Sequence, residues 1–181
     1  MDGVEYPIED WMLPLIETVC KCPDVNAPCN YLQAHWIGPL GCVLPHRDPA
    51  GMYVPMLCLG HARVFRVGGK MPQGYYRIRK EQRKIEKHTP AEEVLLSHGD
   101  LLTFIGGKTL HSMFPVAQDP RFVAGAFDHR ISLLFRWTTP AMREFGPGDA
   151  ARKAGHDQQY KAAIENYRNG LTDFLGREVK S

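Results

Sequence analysis

Residues 130–137 read RISLLFRW, that is Arg130-Ile131-Ser132-Leu133-Leu134-Phe135-Arg136-Trp137. Successive side chains of a strand point to opposite faces. One face of this segment carries Arg130, Ser132, Leu134 and Arg136; the other carries Ile131, Leu133, Phe135 and Trp137. The wholly apolar face belongs in a core. The mixed face is either a solvent-facing surface or the wall of a charged pocket. Six residues of strand span about 20 Å, so two long Arg side chains leaning inward can grip the two ends of a small dicarboxylate. Arginine suits that task because its guanidinium binds a carboxylate through two parallel hydrogen bonds, whereas lysine offers a point charge.

Upstream lie more β-rich runs, at 31–38, 52–59, 62–67, 75–79, 92–97, 101–105 and 111–116. Most joints carry turn residues: Gly68-Gly69, His98-Gly99-Asp100 and Gly106-Gly107. Seven or eight short strands at this spacing predict a sandwich, barrel or jelly roll. Two flanking helices are predicted. Residues 8–22 form a short one, bent or broken near Pro14. Residues 150–175 repeat Tyr160, Ala163, Ile164, Tyr167, Leu171 and Phe174 at helical spacing, which predicts a closing helix on the β-core. The 181 residues are expected to form a single domain with its core at about 31–138, and a monomer is assumed.

Hydrophobic residues make up 44% and charged residues 23%, which excludes disorder throughout. No apolar run approaches the roughly 18 residues of a membrane span. The acidic start, MDGVEYPIEDWM, is not expected to be a secretory signal. Five scattered Cys (20, 22, 29, 42 and 58) give no disulfide framework. The expectation is a soluble intracellular protein, cytoplasmic or nuclear. Net charge is +2, but nine Lys/Arg against two acids between Arg63 and Lys87 concentrate +7 there and leave −5 elsewhere. Phe65, Tyr75 and Tyr76 interleave that run. A basic, aromatic segment over 63–88 suits nucleic acid; the plainer alternative is a solvated ribbon.

His46-Arg47-Asp48 is an H-x-D, a spacing that lets one imidazole and one carboxylate share a metal. The pattern alone is weak, because His98-Gly99-Asp100 repeats it where a tight turn is expected. His111 corroborates the first, since it opens a strand 63 residues after Asp48. Two His and one carboxylate make the facial triad of non-haem Fe(II) oxygenases. A zinc knuckle from Cys20, Cys22, Cys29 and His35 lacks the usual C-x₂-C spacing. Cys42 and Cys58 are expected to be core thiols, and Trp36 a buried aromatic or a base-stacking one.

The ordered set HRD (46–48), LLSHGDLLTFIGG (95–107), LH (110–111) and RISLLFR (130–136) resembles the AlkB-like Fe(II)/2-oxoglutarate dioxygenases. MYVPMLCLGHARVFRVGG (52–69) is similar to that family's strands after its H-x-D. The resemblance covers about residues 31–138. It implies a mainly β fold with flanking helices, the double-stranded β-helix form of the jelly roll. It implies Fe(II) on His46, Asp48 and His111, and 2-oxoglutarate on Arg130, with Ser132 and Arg136 beside it. Oxidative decarboxylation of 2-oxoglutarate by O₂, giving succinate and CO₂, would then drive hydroxylation of a substrate. On a methylated base that amounts to demethylation. Departures from the family pattern are specific. His35 and Ile37 stand where members have Asn-x-Tyr, Ser132 and Leu134 replace the Asn and Thr of the final strand, and Ala50 stands where base-repair members have an acid. Hydroxylation of a protein or small molecule, or a β-helix that binds without turnover, are the alternatives.

Overall fold

Each β-rich run among the described residues became a strand, and the two helical patterns became helices. In the computed structural model the described residues are 7–39, 41–48, 53–68, 92–116, 129–138 and 150–179. Eight strands are β1 (Tyr31–Ile37), β2 (Val43–His46), β3 (Tyr53–Gly60), β4 (Arg63–Val67), β5 (Glu92–Leu96), β6 (Leu101–Ile105), β7 (His111–Pro115) and β8 (Arg130–Arg136). They form two four-stranded sheets, in the orders β1-β8-β3-β6 and β2-β7-β4-β5, and every pairing is antiparallel. The α-helices among the described residues are α1 (Leu13–Lys21) and α2 (Ala150–Arg168). The fold is therefore mainly β with flanking helices. The strand expected at 75–79 lies outside the described residues.

β8 sits inside the first sheet, and its mixed face points between the sheets. Ser132 lies opposite His35 on β1 and Cys58 on β3; Leu134 lies opposite Gln33 and Met56; Arg130 lies opposite Ile37 and Gly60. Of the two options left open for that face, it is the pocket wall. The inter-sheet core is built from Ile37, Val54, Met56, Cys58, Phe65, Leu96, Phe104, Met113 and Leu134. Burying a large apolar side chain contributes about 1.5–3 kcal/mol, so this layer fixes the register of both sheets. The other face of β8 sends Leu133 and Phe135 outward, where Ile16, Val19 and Cys20 of α1 and Ile164 and Tyr167 of α2 cover them.

Both helix boundaries differ from expectation. Pro14 does not break the first helix; it stands in the opening turn of α1, where a missing N–H costs no hydrogen bond. A 3₁₀ turn at Asp10–Met12 precedes it. α2 ends at Arg168, because Gly170 adopts φ 71° and its N–H takes the Tyr167 carbonyl while Leu171 takes that of Asn166. Phe174 still reaches the outer core, through a turn in which the Asp173 carboxylate accepts the Leu175 and Arg177 N–H groups.

The basic run also changes character. Arg63 is fully buried, and Arg66 pairs with Glu93 at 3.1 Å. The other seven Lys/Arg of the run lie outside the described residues. Arg63 is therefore no part of a surface patch: β4 alternation turns it inward with Phe65. No helix among the described residues is long and apolar enough to cross a membrane.

Candidate metal centre

β2 was not apparent from the sequence, because it is four residues long, contains Pro45 and pairs irregularly with β7. It nonetheless sets His46 directly opposite His111. Asp48 lies two residues beyond the strand end, so strand alternation does not place it. Its own N–H does so, by donating to the Gly106 carbonyl at 3.1 Å. A Cβ on Gly106 would run into the Asp48 side chain, 2.6 Å from its Cβ, so this close approach requires glycine.

The three sequence-predicted ligands come together. Their nearest donor atoms all lie within 4.8 Å of one another, and they are the one such group of His, Cys, Asp or Glu among the described residues. Cys20, Cys22, Cys29 and His35 do not gather into a metal site. Each imidazole is oriented through its Nδ1: that of His46 lies 2.7 Å from the Leu44 carbonyl, and that of His111 lies 2.9 Å from the Thr109 carbonyl. A carbonyl can only accept, so each Nδ1 carries a proton, and in the neutral ring Nε2 holds the lone pair. Burial, reinforced by the neighbouring His46 ring, holds the His111 imidazole below its ordinary pKa against the pull of the Thr109 carbonyl. The His111 ring is packed by Phe104 at 4.6 Å and Phe65 at 5.5 Å between centroids. Asp48 accepts from Arg136 Nη2 at 3.1 Å through Oδ1, while its buried Oδ2 has no hydrogen-bond partner. Two imidazoles held through Nδ1, with Nε2 open, and one buried carboxylate with an orphan oxygen fit a divalent transition metal. This group could bind a metal ion.

The two arginines do not face each other across an open gap. Arg136 is committed to Asp48, at the metal end. Arg130 lies at the far end of β8 with 0% exposure. Its Nε donates to Ser132 Oγ at 3.1 Å, its Nη1 to the Leu96 carbonyl at 3.1 Å, and its Nη2 to the Cys58 sulfur. Burial lowers the pKa of Arg130 and pushes the Cys58 thiol up to about 11, the latter opposed by the Arg130 charge. Among the described residues no carboxylate bonds to Arg130, and a buried cation without an anion is costly. Between the two ends runs a cavity lined by His35, Ile37, Met56, Phe65, Ser132 and Leu134, among others. Its volume is about 30 Å³, room for one or two waters.

Other expectations are settled by position. His98-Gly99-Asp100 is a turn: Gly99 has φ 86° and the Asp100 carboxylate accepts the Ser97 N–H at 2.6 Å. Cys58 is buried, but Cys42 is exposed, because it falls in the connection before β2 and not on a strand. Trp36 is 63% exposed and lies 5.3 Å from the His129 ring, on the face of β1 away from the cavity. His35 lines the cavity, and burial with the nearby Arg136 charge lowers its pKa. Sequence reading placed His35 at the Asn-x-Tyr position and weighed it as a zinc-knuckle ligand; the register opposite Ser132 is what brings it to the cavity. Ala50 lies outside the described residues.

No family model matches the chain. No curated protein matches it either. Among solved structures it is similar to the X-ray structure of E. coli ycfD, at 17% identity and a TM-score of 0.39, with 86% of this chain and 44% of that one covered. So slight a likeness carries no argument, and the match spans less than half of that protein.

Proposed function

We propose that the protein is an AlkB-like Fe(II)- and 2-oxoglutarate-dependent dioxygenase that oxidises a nucleic acid, most simply by N-demethylation. One observation carries the reading. A two-His, one-Asp group with both Nε2 atoms open borders an inter-sheet cavity, and beyond Ser132 on that cavity's wall lies a buried arginine to which no carboxylate bonds among the described residues. The strand orders β1-β8-β3-β6 and β2-β7-β4-β5 support a double-stranded β-helix, in which alternate strands build opposing sheets.

Fe(II) on His46, Asp48 and His111 would supply the activation of O₂, the decarboxylation of 2-oxoglutarate and the coupled oxidation of substrate. The chain's own residues do the positioning. The Leu44 and Thr109 carbonyls hold the two imidazoles through Nδ1, which leaves each Nε2 as the donor to a metal. Arg130, steadied by Ser132, holds the distal carboxylate of the co-substrate, and Arg136 balances the Asp48 charge. Phe65 and Phe104 keep water from the His111 side. The His46 side chain, 40% exposed against 5% for that of Asp48, marks the side from which substrate arrives.

A second reading, hydroxylation of a protein or small molecule, gains from the burial of Arg63 and the Arg66–Glu93 pair, which remove two cations from the expected nucleic-acid surface. The test of the oxygenase class is anaerobic. Fe(II) followed by 2-oxoglutarate is expected to give the visible charge-transfer band of the chelated acid. Arg130→Ala should weaken the band by raising the acid concentration needed, and His111→Ala should abolish it. A folded, iron-supplied protein without the band would overturn the proposal.

A further inference from the structure

Two guanidinium groups, not one, are buried beyond Ser132 of the cavity wall, on the side away from the candidate metal ligands. Arg63 and Arg130 are each 0% exposed. Neither bonds to a carboxylate among the described residues. Arg63 Nη2 donates to the Gly38 and Pro39 carbonyls at 2.8 and 3.0 Å, and Nη1 to the Ala62 carbonyl and the His61 ring at 3.0 Å each. Its Nε is buried without a partner. The two arginines share neighbours. Arg130 Nη1 reaches the His61 carbonyl at 3.5 Å, beside the groups that Arg63 binds. Leu96, whose carbonyl accepts from Arg130, stands opposite Arg63 in the β4–β5 ladder. Burial first, and then the like charge of Arg130, lower the pKa of Arg63.

Neutral acceptors satisfy hydrogen bonds but cancel no charge. Of the acids, Asp100 acts on Arg130 by its charge alone, so two buried cations with carbonyl, hydroxyl, thiol and imidazole partners remain short of one anion among the described residues. The four bonds of Arg63 pin it in place and leave its field pointing at whatever Arg130 holds.

We propose that Arg63 is a positioning residue that selects for a dicarboxylate: its charge adds to that of Arg130 at the far carboxylate, without touching it. The inference rests on the reading of the site given above. It makes the site prefer 2-oxoglutarate over 2-oxopentanoate, which has the same carbon chain but ends in a methyl group.

The experiment measures binding of both acids to the full chain loaded with Ni(II), by calorimetry. The wild type is expected to prefer 2-oxoglutarate. Arg63→Gln should lose about tenfold in affinity for 2-oxoglutarate and leave 2-oxopentanoate nearly unchanged, since Coulomb attraction acts only on the charged end. Arg63→Lys, which keeps the charge but cannot repeat the four-bond clamp, should retain the preference even if the melting temperature falls. A purely structural Arg63 would weaken both acids alike in either variant; that result, or a lost preference in Arg63→Lys, overturns the inference and leaves the site reading standing. A wild type that binds neither acid overturns the site reading, and the inference with it.

Discussion

The two ends of the cavity are built in opposite ways. At the metal end the functional groups hang on irregular backbone: His46 closes a short, irregularly paired strand, Asp48 lies beyond it, and the turn after β6 supplies the Gly106 and Thr109 carbonyls. At the arginine end the groups sit within paired strands and are sealed from solvent. The lesson is a division of labour. Loop-held ligands can shift by the small amounts that an arriving ion demands, and a half-exposed His46 leaves an approach for substrate. Strand-held cations cannot shift, and under the proposed function they would measure the far end of a small acid.

The comparison can be broken most severely at its one charged contact in the metal end. Arg136→Met leaves the Asp48 carboxylate buried and unpaired, which should cost about 3 kcal/mol in chemical denaturation. Added divalent metal should recover part of that loss if Asp48 is a ligand. No recovery would separate Asp48 from metal binding. Gly106→Ala comes next. Pushing Asp48 aside should weaken metal binding by about tenfold to a hundredfold, read by calorimetry, while Arg130 keeps its partners.

A smaller effect sharpens the electrostatic side. Burial depresses the pKa of both His35 and His111 in the folded chain. Between those lowered values and the unfolded value of about 6.5, the unfolded chain binds more protons. The metal-free protein should therefore lose stability as pH falls below about 6.5, and His111→Gln should flatten that dependence in urea titrations at successive pH values. Smallest of all, Trp36→Ala should change stability by less than about 0.5 kcal/mol, because the ring is largely exposed. A larger loss, measured by the same titrations, would mean the Trp36–His129 contact holds the strand end.

The arginine end was legible in sequence only in part. The alternation of RISLLFRW identified Arg130 and Ser132 as one face, because strand period is a strong signal. It could not say that Arg63, counted among surface charges, turns inward, since a lysine- and arginine-rich neighbourhood masks a single buried member. The metal ligands were legible as residue types and order. Their support was not: the Asp48–Gly106 contact joins positions 58 residues apart, and no local pattern announces it. β2 was missed for the same reason, being held by its partner rather than by propensity. The helix limits moved because Pro14 and Gly170 act through caps, which outrank the apolar periodicity around them.

The placement of β8 between β1 and β3 has a consequence for how the chain is made. Among the described residues β1 has no strand partner but β8, and about a hundred residues separate them in sequence. At ribosomal rates of about 5–20 residues per second, β1 waits on the order of five to twenty seconds for its neighbour to emerge. Through that interval the first sheet has a gap where its middle strand belongs, and β1 offers open edges to any passing strand. A nascent chain that stops short of residue 130 already contains His46, Asp48 and His111, yet lacks the wall against which they become a site.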